Sequence, residues 1–358
     1  MKTVAVIGTR GFPGIQGGVE MHCQNIYPLI SDANFRVYRR KPYLTPESTR
    51  TYPNITFVDL PSTRVKGFEA LFHTFLSVMH IIFHRTDAVH IHNIGPGLFA
   101  PILRLFGFKV IMTYHSANYE HKKWGPFAKA LLRLSEHVSL RWCHRIIFVN
   151  KFQMEKYAEK IRRKSTYIPN GLHPAVPVAE TDFLSSKGII PGEYLLAVGR
   201  ITPEKGFHHL IKAVQECPQV SQLVIAGGSD HDSTYLNELR ALDTHHKVIF
   251  TGFTAGNDLA QLYSHARLFV LPSENEGFPL VLLEAISYHL QVIVSDIPAT
   301  HLLQLPQSCY FETGNTTQLK EIIEHTLTAE NTNNYNFDIT QFQWPEIAAT
   351  TARILTSS

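Results

Sequence analysis

The stretch LFVLPSENEGFPLVLLE, residues 268–284, holds the pattern from which the rest of the chain can be interpreted. Residues 268–271 are apolar and typical of a buried strand, and Pro272 ends that strand. The residues from Phe278 onward have helical spacing, and Pro279 suits the first position of a helix, where its missing N–H costs nothing. A strand that passes through a short polar turn into a helix points free backbone N–H groups at a ligand above the sheet.

Two carboxylates flank this turn. Glu276 lies at its mouth, and Glu284 follows eight residues later on nearly the same side of the predicted helix. Gly277 lets the backbone come close to a ligand. One carboxylate can meet hydroxyls at the reacting end of a ligand, and the other can bind a hydroxyl further along it. This combination predicts a sugar nucleotide, although an acidic loop before an ordinary amphipathic helix gives the same pattern.

The length of 358 residues suits two domains, and an apolar content of 44% with 18% charged residues is typical of a soluble globular protein. The first apolar run, residues 4–7, is too short for a signal peptide. The apolar segment 68–83 is interrupted by Glu69, His73 and His80, so no membrane span is predicted. The four cysteines lack C-x-x-C spacing, which favours a reducing compartment, and we expect a cytoplasmic protein.

The charge is unevenly divided between the two halves of the chain. Residues 1–172 carry 24 Lys and Arg against 10 Asp and Glu, a net +14, whereas the remainder carries 9 against 20, a net −11. The first half therefore attracts anionic partners. Lys122, Lys123 and Trp124 favour contact with anionic lipid or a lipid diphosphate, and a solvated basic face is the open alternative. Nucleic acid is not expected, because the aromatic residues form no stacking series.

Strand-like runs alternate with helical segments in the first half, which predicts a parallel, doubly wound sheet. The expected strands lie at residues 2–7, 35–38, 55–58, 88–92, 109–114 and 145–149, and the expected helices near 68–84, 97–106 and 127–142. Ligands bind such sheets beyond the carboxyl ends of the strands, where His92 and His115 fall. His115 is the candidate for a chemical role near a reacting sugar, and a hydrogen-bonded structural histidine is the alternative.

A glycine-rich turn, GTRGFPGIQGGVE at residues 8–20, follows the first strand. It is not the dinucleotide fingerprint, because G-x-G-x-x-G would need glycines at positions 10 and 13, where Arg10 and Pro13 stand. Gly17 and Gly18 before a helical segment can still form a backbone cradle for an anion. A tight connection that needs positive φ explains them nearly as well.

A linker rich in Pro, Gly and Ser, residues 168–192, precedes a second alternating set with strands at 194–198, 222–226, 247–250, 268–271 and 292–295. Arg200 follows the first of these strands and Lys205 precedes a helix, as a bound diphosphate would require. A surface turn is the alternative. The D-x-D spacing at residues 230–232 is interpreted as a polar loop, and no metal is predicted.

Four motifs occur in an order that resembles glycosyltransferase family 4, whose members are retaining enzymes of the GT-B fold. They are Gly17-Gly18-Val-Glu20, Ile168-Pro-Asn170-Gly171, Val198-Gly199-Arg200 with Pro203-Glu-Lys205-Gly206, and residues 272–279 with Glu284. Residues 7–13 and 123–125 are also similar to a bacterial subgroup that includes rhamnosyltransferases of polysaccharide assembly.

The resemblance implies an α/β fold with two doubly wound Rossmann-like domains facing across a cleft. Residues 1–170 would form the acceptor-side domain and 171–338 the nucleotide-sugar domain, and the helix in 339–358 would pack back on the first domain. The family pattern places Arg200 and Lys205 on the donor diphosphate, Glu276 at the sugar hydroxyls and Glu284 at the ribose. The implied residues are His115, Arg200, Lys205 and Glu276 for catalysis, and Gly17, Gly18, Asn170, Gly199, Gly277, Phe278, Pro279 and Glu284 for the donor.

Two departures from the family pattern stand out. The family usually has Gly at the end of the helix that carries the second Glu, whereas this chain has Ser287 to Gln291 there. Ser116 stands where Gly or Asp is common, which bears on the choice of sugar or acceptor.

We therefore expect a retaining glycosyltransferase without metal or other cofactor. It would move a hexose or deoxyhexose from a nucleotide-diphosphate sugar to a glycan or lipid-linked acceptor in bacterial surface polysaccharide assembly. It would work in the cytoplasm, with peripheral contact to the inner face of the membrane. The alternatives are an epimerase or phosphorylase on the same fold, and a non-catalytic nucleotide-sugar-binding subunit.

Overall fold

A computed structural model describes residues 1–15, 17–63, 68–117, 119, 125–229, 234–328 and 340–357. The chain divides into two compact units, each built on its own parallel sheet. The first unit comprises Met1–Gly171 and Thr340–Ser358, and the second comprises Leu172–Ile339. The two doubly wound Rossmann-like sheets expected from the sequence are thus confirmed.

The sheet of the first unit has seven strands in the order β3-β2-β1-β4-β5-β6-β7, and neighbouring strands are parallel. The chain moves outward from β1 in one direction and resumes with β4 on the other side, so the point of reversal lies between β1 and β4. The strands are β1 Lys2–Ile7, β2 Ala33–Arg40, β3 Ile55–Leu60, β4 Ala88–His92, β5 Lys109–Tyr114, β6 Arg145–Phe148 and β7 Ser165–Tyr167.

Seven α-helices belong to the described part of the first unit. They are α1 Gly18–Ile26, α2 Glu69–Phe83, α3 Ala100–Leu105, α4 Pro126–Trp142, α5 Lys151–Glu155, α6 Glu159–Arg162 and, from the end of the chain, α13 Trp344–Thr356. Helix α13 packs on α1, and the ring of Trp344 lies against the backbone of Gly171. A Cβ at Gly171 would lie 2.4 Å from Cδ2 of Trp344, so the glycine makes room for the indole.

The sheet of the second unit has six parallel strands in the order β10-β9-β8-β11-β12-β13. Its point of reversal lies between β8 and β11. The strands are β8 Tyr194–Val198, β9 Gln222–Ala226, β10 Val248–Gly252, β11 Leu268–Leu271, β12 Val292–Ser295 and β13 Tyr310–Phe311. The helices are α7 Asp182–Ser186, α8 Phe207–Gln215, α9 Thr234–Leu242, α10 Gly256–His265, α11 Leu280–Ser287 and α12 Thr316–Thr328.

Each unit has its own apolar core, formed where the branched residues of the strands meet the inner faces of the helices. Within the described residues, no helix combines the length and the apolar character that crossing a bilayer requires. The sequence predicted Pro279 at the first position of helix α11. In the structure Pro279 is the N-cap residue, one position before the first helical residue.

Candidate functional site

Two loops meet at the reversal point of the second sheet, one after β8 and one after β11. Gly206 joins them: its φ is +66°, and a Cβ there would lie 2.0 Å from the carbonyl oxygen of Pro272. The backbone N–H of Glu274 also donates to the carbonyl oxygen of Glu204 over 2.9 Å. Only glycine fits this close approach, and the loop that carries Lys205 is therefore fixed against the loop that carries Glu276.

Lys205 and Glu276 form an ion pair across these loops. Lys205 Nζ lies 2.6 Å from Glu276 Oε1, and the hydroxyl of Ser273 donates to the same oxygen over 2.7 Å. Both charged side chains are mostly buried, with 17% and 10% of their surface exposed. The sequence predicted a role for each residue separately, and the structure brings them together.

Arg200 follows β8 and is partly buried. The strand end is packed tightly, because a Cβ on Gly227 would lie 1.8 Å from the carbonyl oxygen of Gly199. The stem of Lys205 lies over Gly199, with Cδ 3.6 Å from where a Cβ would stand. The two cations expected on a diphosphate therefore flank one glycine.

Helix α11 begins four residues after Glu276. Gly277 is partly buried and Phe278 and Pro279 are buried at its start, and no side chain caps its first N–H groups. Further along, Tyr263 Oη donates to Glu284 Oε2 over 2.8 Å. Burial raises the pKa of Glu284 to about 7, against the opposing effect of the Tyr263 hydrogen bond. Its protonation therefore changes near neutral pH.

The glycine-rich turn of the first unit is organised from within by Glu20. Its Oε1 accepts the backbone N–H of Arg10 over 2.9 Å and lies 3.1 Å from the hydroxyl of Thr9. A Cβ on Gly17 would lie 2.0 Å from the other carboxylate oxygen, whereas a Cβ on Gly18 would have nothing within 4 Å. Gly17 is thus required by the fold of the turn itself. The predicted contact of Gly17 and Gly18 with a donor stays a prediction.

A chain of buried side chains leads to His115 at the reversal point of the first sheet. His90 and His92 are two residues apart on β4 and point to the same face, towards α1, whereas Val89 and Ile91 face the core on the other side. The hydroxyl of Tyr27 bridges them, 2.8 Å from Nδ1 of His90 and 2.6 Å from Nε2 of His92. The hydrogen-bonded chain begins at Thr113, whose hydroxyl is 2.8 Å from His90 Nε2. It ends at His115, whose Nε2 is 2.9 Å from His92 Nδ1.

These imidazoles are held neutral by burial. Desolvation lowers the pKa of His90 to about 3 and keeps the pKa values of His92 and His115 well below the usual range. A neutral imidazole has one N–H and one lone pair, and the Tyr27 hydroxyl donates one proton. The hydrogen bonds can therefore run in one of two directions, and the direction decides whether the second ring nitrogen of His115 donates or accepts.

Asn170 belongs to the same cluster. Its side-chain oxygen lies 2.7 Å from Nδ1 of His22. Burial lowers the pKa of His22 to about 4. The Asn-Gly pair of the second motif therefore orients His22 through Asn170 and receives Trp344 at Gly171. The predicted donor contact of Asn170 stays a prediction.

Two groups of three side chains among the described residues place possible metal-ligand atoms within 4.8 Å of one another. They are His22, His92 and His115 in the first unit, and His208, His209 and Glu274 in the second. In the second group His209 Nε2 lies 3.2 Å from Glu274 Oε1, and this distance is also that of an ordinary hydrogen bond. The absence of a metal requirement stays a prediction.

Some residues that the sequence singled out lie outside the described part of the chain. Lys122, Lys123 and Trp124, proposed for acceptor or membrane contact, and the D-x-D segment 230–232 lie outside the described residues. The sequence also missed several residues around the candidates, namely His22, Tyr27, His90, Tyr263 and Ser273. Of these, His90 had a usable signal, because two histidines at strand spacing must share a face.

Two family models match the chain. The model described as "Glycosyltransferase Family 4" matches residues 16–176, and the model described as "Glycosyl transferases group 1" matches residues 185–336. The O-antigen chain mannosyltransferase RfbU of Salmonella typhimurium is 35% identical over 125 residues, which make up 35% of each chain. The chain spans 30% to 62% of the lengths of the curated relatives that it matches most strongly.

Solved structures share the fold over the whole length. Sucrose-phosphate synthase of Thermosynechococcus elongatus has a TM-score of 0.81 at 21% identity, covering 99% of this chain and 98% of that one. Anabaena HepE in complex with UDP and glucose has a TM-score of 0.78 at 18% identity, covering 100% of both chains. The GT-B fold expected from the sequence is confirmed.

Proposed function

The chain belongs to glycosyltransferase family 4, and from that premise we propose that it moves a hexose or deoxyhexose from a nucleotide-diphosphate sugar to an acceptor hydroxyl with retained configuration. The UDP and glucose bound by HepE support a donor of this class. The likeness to an O-antigen chain mannosyltransferase supports a role in surface polysaccharide assembly, with a glycan or lipid-linked acceptor.

The contact between Lys205 and Glu276 is the observation that carries this proposal. It places a cation and a carboxylate 2.6 Å apart at the reversal point of a parallel sheet, where ligands of such sheets bind. A diphosphate entering there would take over the ammonium of Lys205, and Glu276 would then accept hydrogen bonds from sugar hydroxyls. The pair would therefore bind an anion that is joined to a sugar.

The chemistry requires a diphosphate to leave a carbon that gains positive charge. The bond between the anomeric carbon and the phosphate oxygen breaks while a bond to the acceptor oxygen forms on the same face. The acceptor proton passes to the departing phosphate oxygen, so the protein supplies no base. Arg200, Lys205 and the first N–H groups of α11 would stabilise the leaving charge, and one such preorganised donor contributes roughly 3–4 kcal/mol. We propose that no metal is required.

A double displacement through Glu276 is the rival mechanism. Glu276 Oε1 already accepts from both Lys205 and Ser273, and these hydrogen bonds withdraw electron density from the carboxylate. This favours a binding role over a nucleophilic one. His115 would then contribute through its second ring nitrogen, as a neutral hydrogen-bonding partner of the sugar.

The test is release of nucleoside diphosphate from a panel of UDP-, GDP- and dTDP-sugars, with and without polysaccharide or lipid-linked acceptors. A transferase gives acceptor-dependent release, and NMR of the anomeric proton decides retention. An epimerase or phosphorylase would turn over the donor without the acceptor, and a binding subunit would bind it without turnover. Activity that persists in EDTA supports the metal-independent scheme, and its loss would contradict that scheme.

A further inference from the structure

Helix α2 carries large apolar side chains on its outer side as well as on the side that packs on the core. Its outer face carries them at helical spacing, starting one residue before the helix, and the inner face carries Val78 and Ile81 together with three polar residues. The outer residues are Phe68, Phe72, Phe75, Met79 and Phe83, and the inner polar ones are His73, Thr74 and Ser77. The hydroxyls of Thr74 and Ser77 are satisfied by carbonyls of the same helix, at 2.6 and 2.8 Å. A surface helix usually carries polar residues on its outer side, and the exposed Phe75, Met79 and Phe83 of α2 depart from that pattern.

The apolar stripe continues onto the end of α3. Leu105 and Phe106 follow one another there and are exposed, Leu105 to 85%. Arg85, two residues beyond Phe83, lies over the ring of Phe108, so the end of α2 borders the end of α3. Exposed apolar side chains grouped on neighbouring elements often mark a surface that binds something.

The end of α4 borders the same area. The guanidinium of Arg104 lies 5.8 Å from the ring centroid of Trp142 and donates to the carbonyl oxygen of Trp142 over 3.4 Å. Trp142 is itself 39% exposed. We name this surface the α2–α4 face, defined by the outer residues of α2 with Leu105, Phe106 and Trp142.

Arginines border the α2–α4 face. Arg85, Arg104, Arg141 and Arg145 are exposed. The acidic residue of α4, Glu136, is directed instead at tyrosines, accepting from Tyr157 over 2.6 Å and from Tyr119 over 3.3 Å. The exposed side chains at this end of α4 are thus apolar or basic, which matches an anionic surface with an apolar interior.

We propose that the α2–α4 face docks on a bilayer containing anionic phospholipid, with its apolar side chains in the headgroup boundary and its arginines at the phosphates. A second copy of this chain fits less well, because a two-fold contact would bring two sets of these arginines to one interface. The helices at this face would lie on the membrane surface. The proposal does not depend on the sugar-transfer reaction, because it concerns helices remote in sequence from Lys205 and Glu276.

The experiment is vesicle co-sedimentation of the full chain with phosphatidylcholine alone and with phosphatidylcholine containing phosphatidylglycerol, in the absence of any sugar nucleotide. We expect binding to the anionic vesicles only, weakening as salt is raised. The double variant Phe83→Gln with Leu105→Gln should bind at least about tenfold less, since both side chains would leave the apolar boundary. Arg104→Gln with Arg141→Gln should also bind less, by roughly tenfold.

Phe253→Gln is the matched control, because Phe253 is 59% exposed but lies in the second unit, and it should bind like the wild type. All substituted residues are exposed, and an unchanged Tm will show that each variant is folded. Equal binding of the Phe83/Leu105 variant and the wild type would overturn the proposal. Equal binding of the wild type to neutral and to anionic vesicles would also overturn it. So would a wild type that binds neither kind of vesicle and dimerises through this face.

Discussion

The carboxyl ends of the two sheets differ in chemistry. In the first unit, Tyr27, His92 and His115 form a buried, neutral hydrogen-bonded chain. In the second, Lys205 and Glu276 form an ion pair with part of each side chain open to solvent. A neutral chain couples the directions of its hydrogen bonds without attracting an anion, whereas the charged pair can exchange partners with one. This difference supports the proposal that the second unit binds the charge of the donor and that the first unit orients a hydrogen bond.

The largest effect is expected at the charged end. Arg200→Ala and Glu276→Ala should each lower kcat by about 10²–10³-fold, because each removes a group that the proposed mechanism places at the diphosphate or its sugar. The measurement is the rate of nucleoside diphosphate release at saturating donor. Lys212→Ala, on α8, and Glu216→Ala, at the residue that caps its end, change exposed charges, serve as charge-matched controls and should keep the wild-type rate. Wild-type rates in both site variants would show that the site is wrongly assigned.

The neutral end should respond more weakly. Tyr27→Phe removes the hydroxyl between His90 and His92, frees the direction of the chain and should lower kcat roughly tenfold with little change in donor KM. Tyr38→Phe is the matched control. Tyr38 is equally buried on the same sheet, and its hydroxyl lies 2.9 Å from His80 Nδ1, outside the chain that ends at His115. If the two variants have the same kcat, the chain has no role beyond stability.

The two glycines before α1 offer a smaller test of the first unit. Gly17→Ala should cost about 1–3 kcal/mol of unfolding free energy, because its Cβ would meet Glu20 and its φ is strained for other residues. Gly18→Ala, with open space around it, should stay within about 0.5 kcal/mol of the wild type. Denaturant titration measures both. Equal values would contradict the account of Glu20 as the organiser of the turn.

The smallest effect concerns pH and the second unit. The pKa of Glu284 in the folded chain, about 7, lies above its ordinary value of 4.5, so ionisation opposes folding. This contribution to stability is complete below pH 4.5 and is lost as the pH rises through 7. Between pH 4.5 and 7.5 the wild type should therefore lose a few degrees more in Tm than Glu284→Gln. Glu216→Gln, at an exposed position, should follow the wild type; parallel Tm profiles for Glu284→Gln and the wild type would refute the raised pKa.

The sequence predicted the strands that form both sheets, apart from two at their edges. Residues 165–167 and 310–311 form strands too short to show a periodicity. Periodicity also found helix α2 but could not tell which face is buried, because the helix is apolar on both sides: Val78 and Ile81 face the core, whereas Phe83 is exposed. A stripe on a helix shows that one side differs from the other, and the sheet packing decides which side faces inward.

The sequence predicted the candidate residues one by one, from their positions at strand ends, but it did not predict which residues they contact. Lys205 and Glu276 are 71 residues apart and Asn170 and His22 are 148 apart, so no local spacing joins them. Both pairs depend on parallel strands that bring distant carboxyl ends to one edge of a sheet. Glu284 posed a further difficulty, since its raised pKa comes from burial that the sequence does not reveal.

Equilibrium binding tests most directly whether the Lys205–Glu276 pair receives a diphosphate joined to a sugar. Calorimetry would compare a nucleoside diphosphate with its sugar derivative, on the wild type, Lys205→Ala and Glu276→Gln. We predict that Lys205→Ala weakens both ligands, whereas Glu276→Gln weakens only the sugar derivative. Equal weakening of both ligands by Glu276→Gln, or no change in either variant, would contradict the assignment.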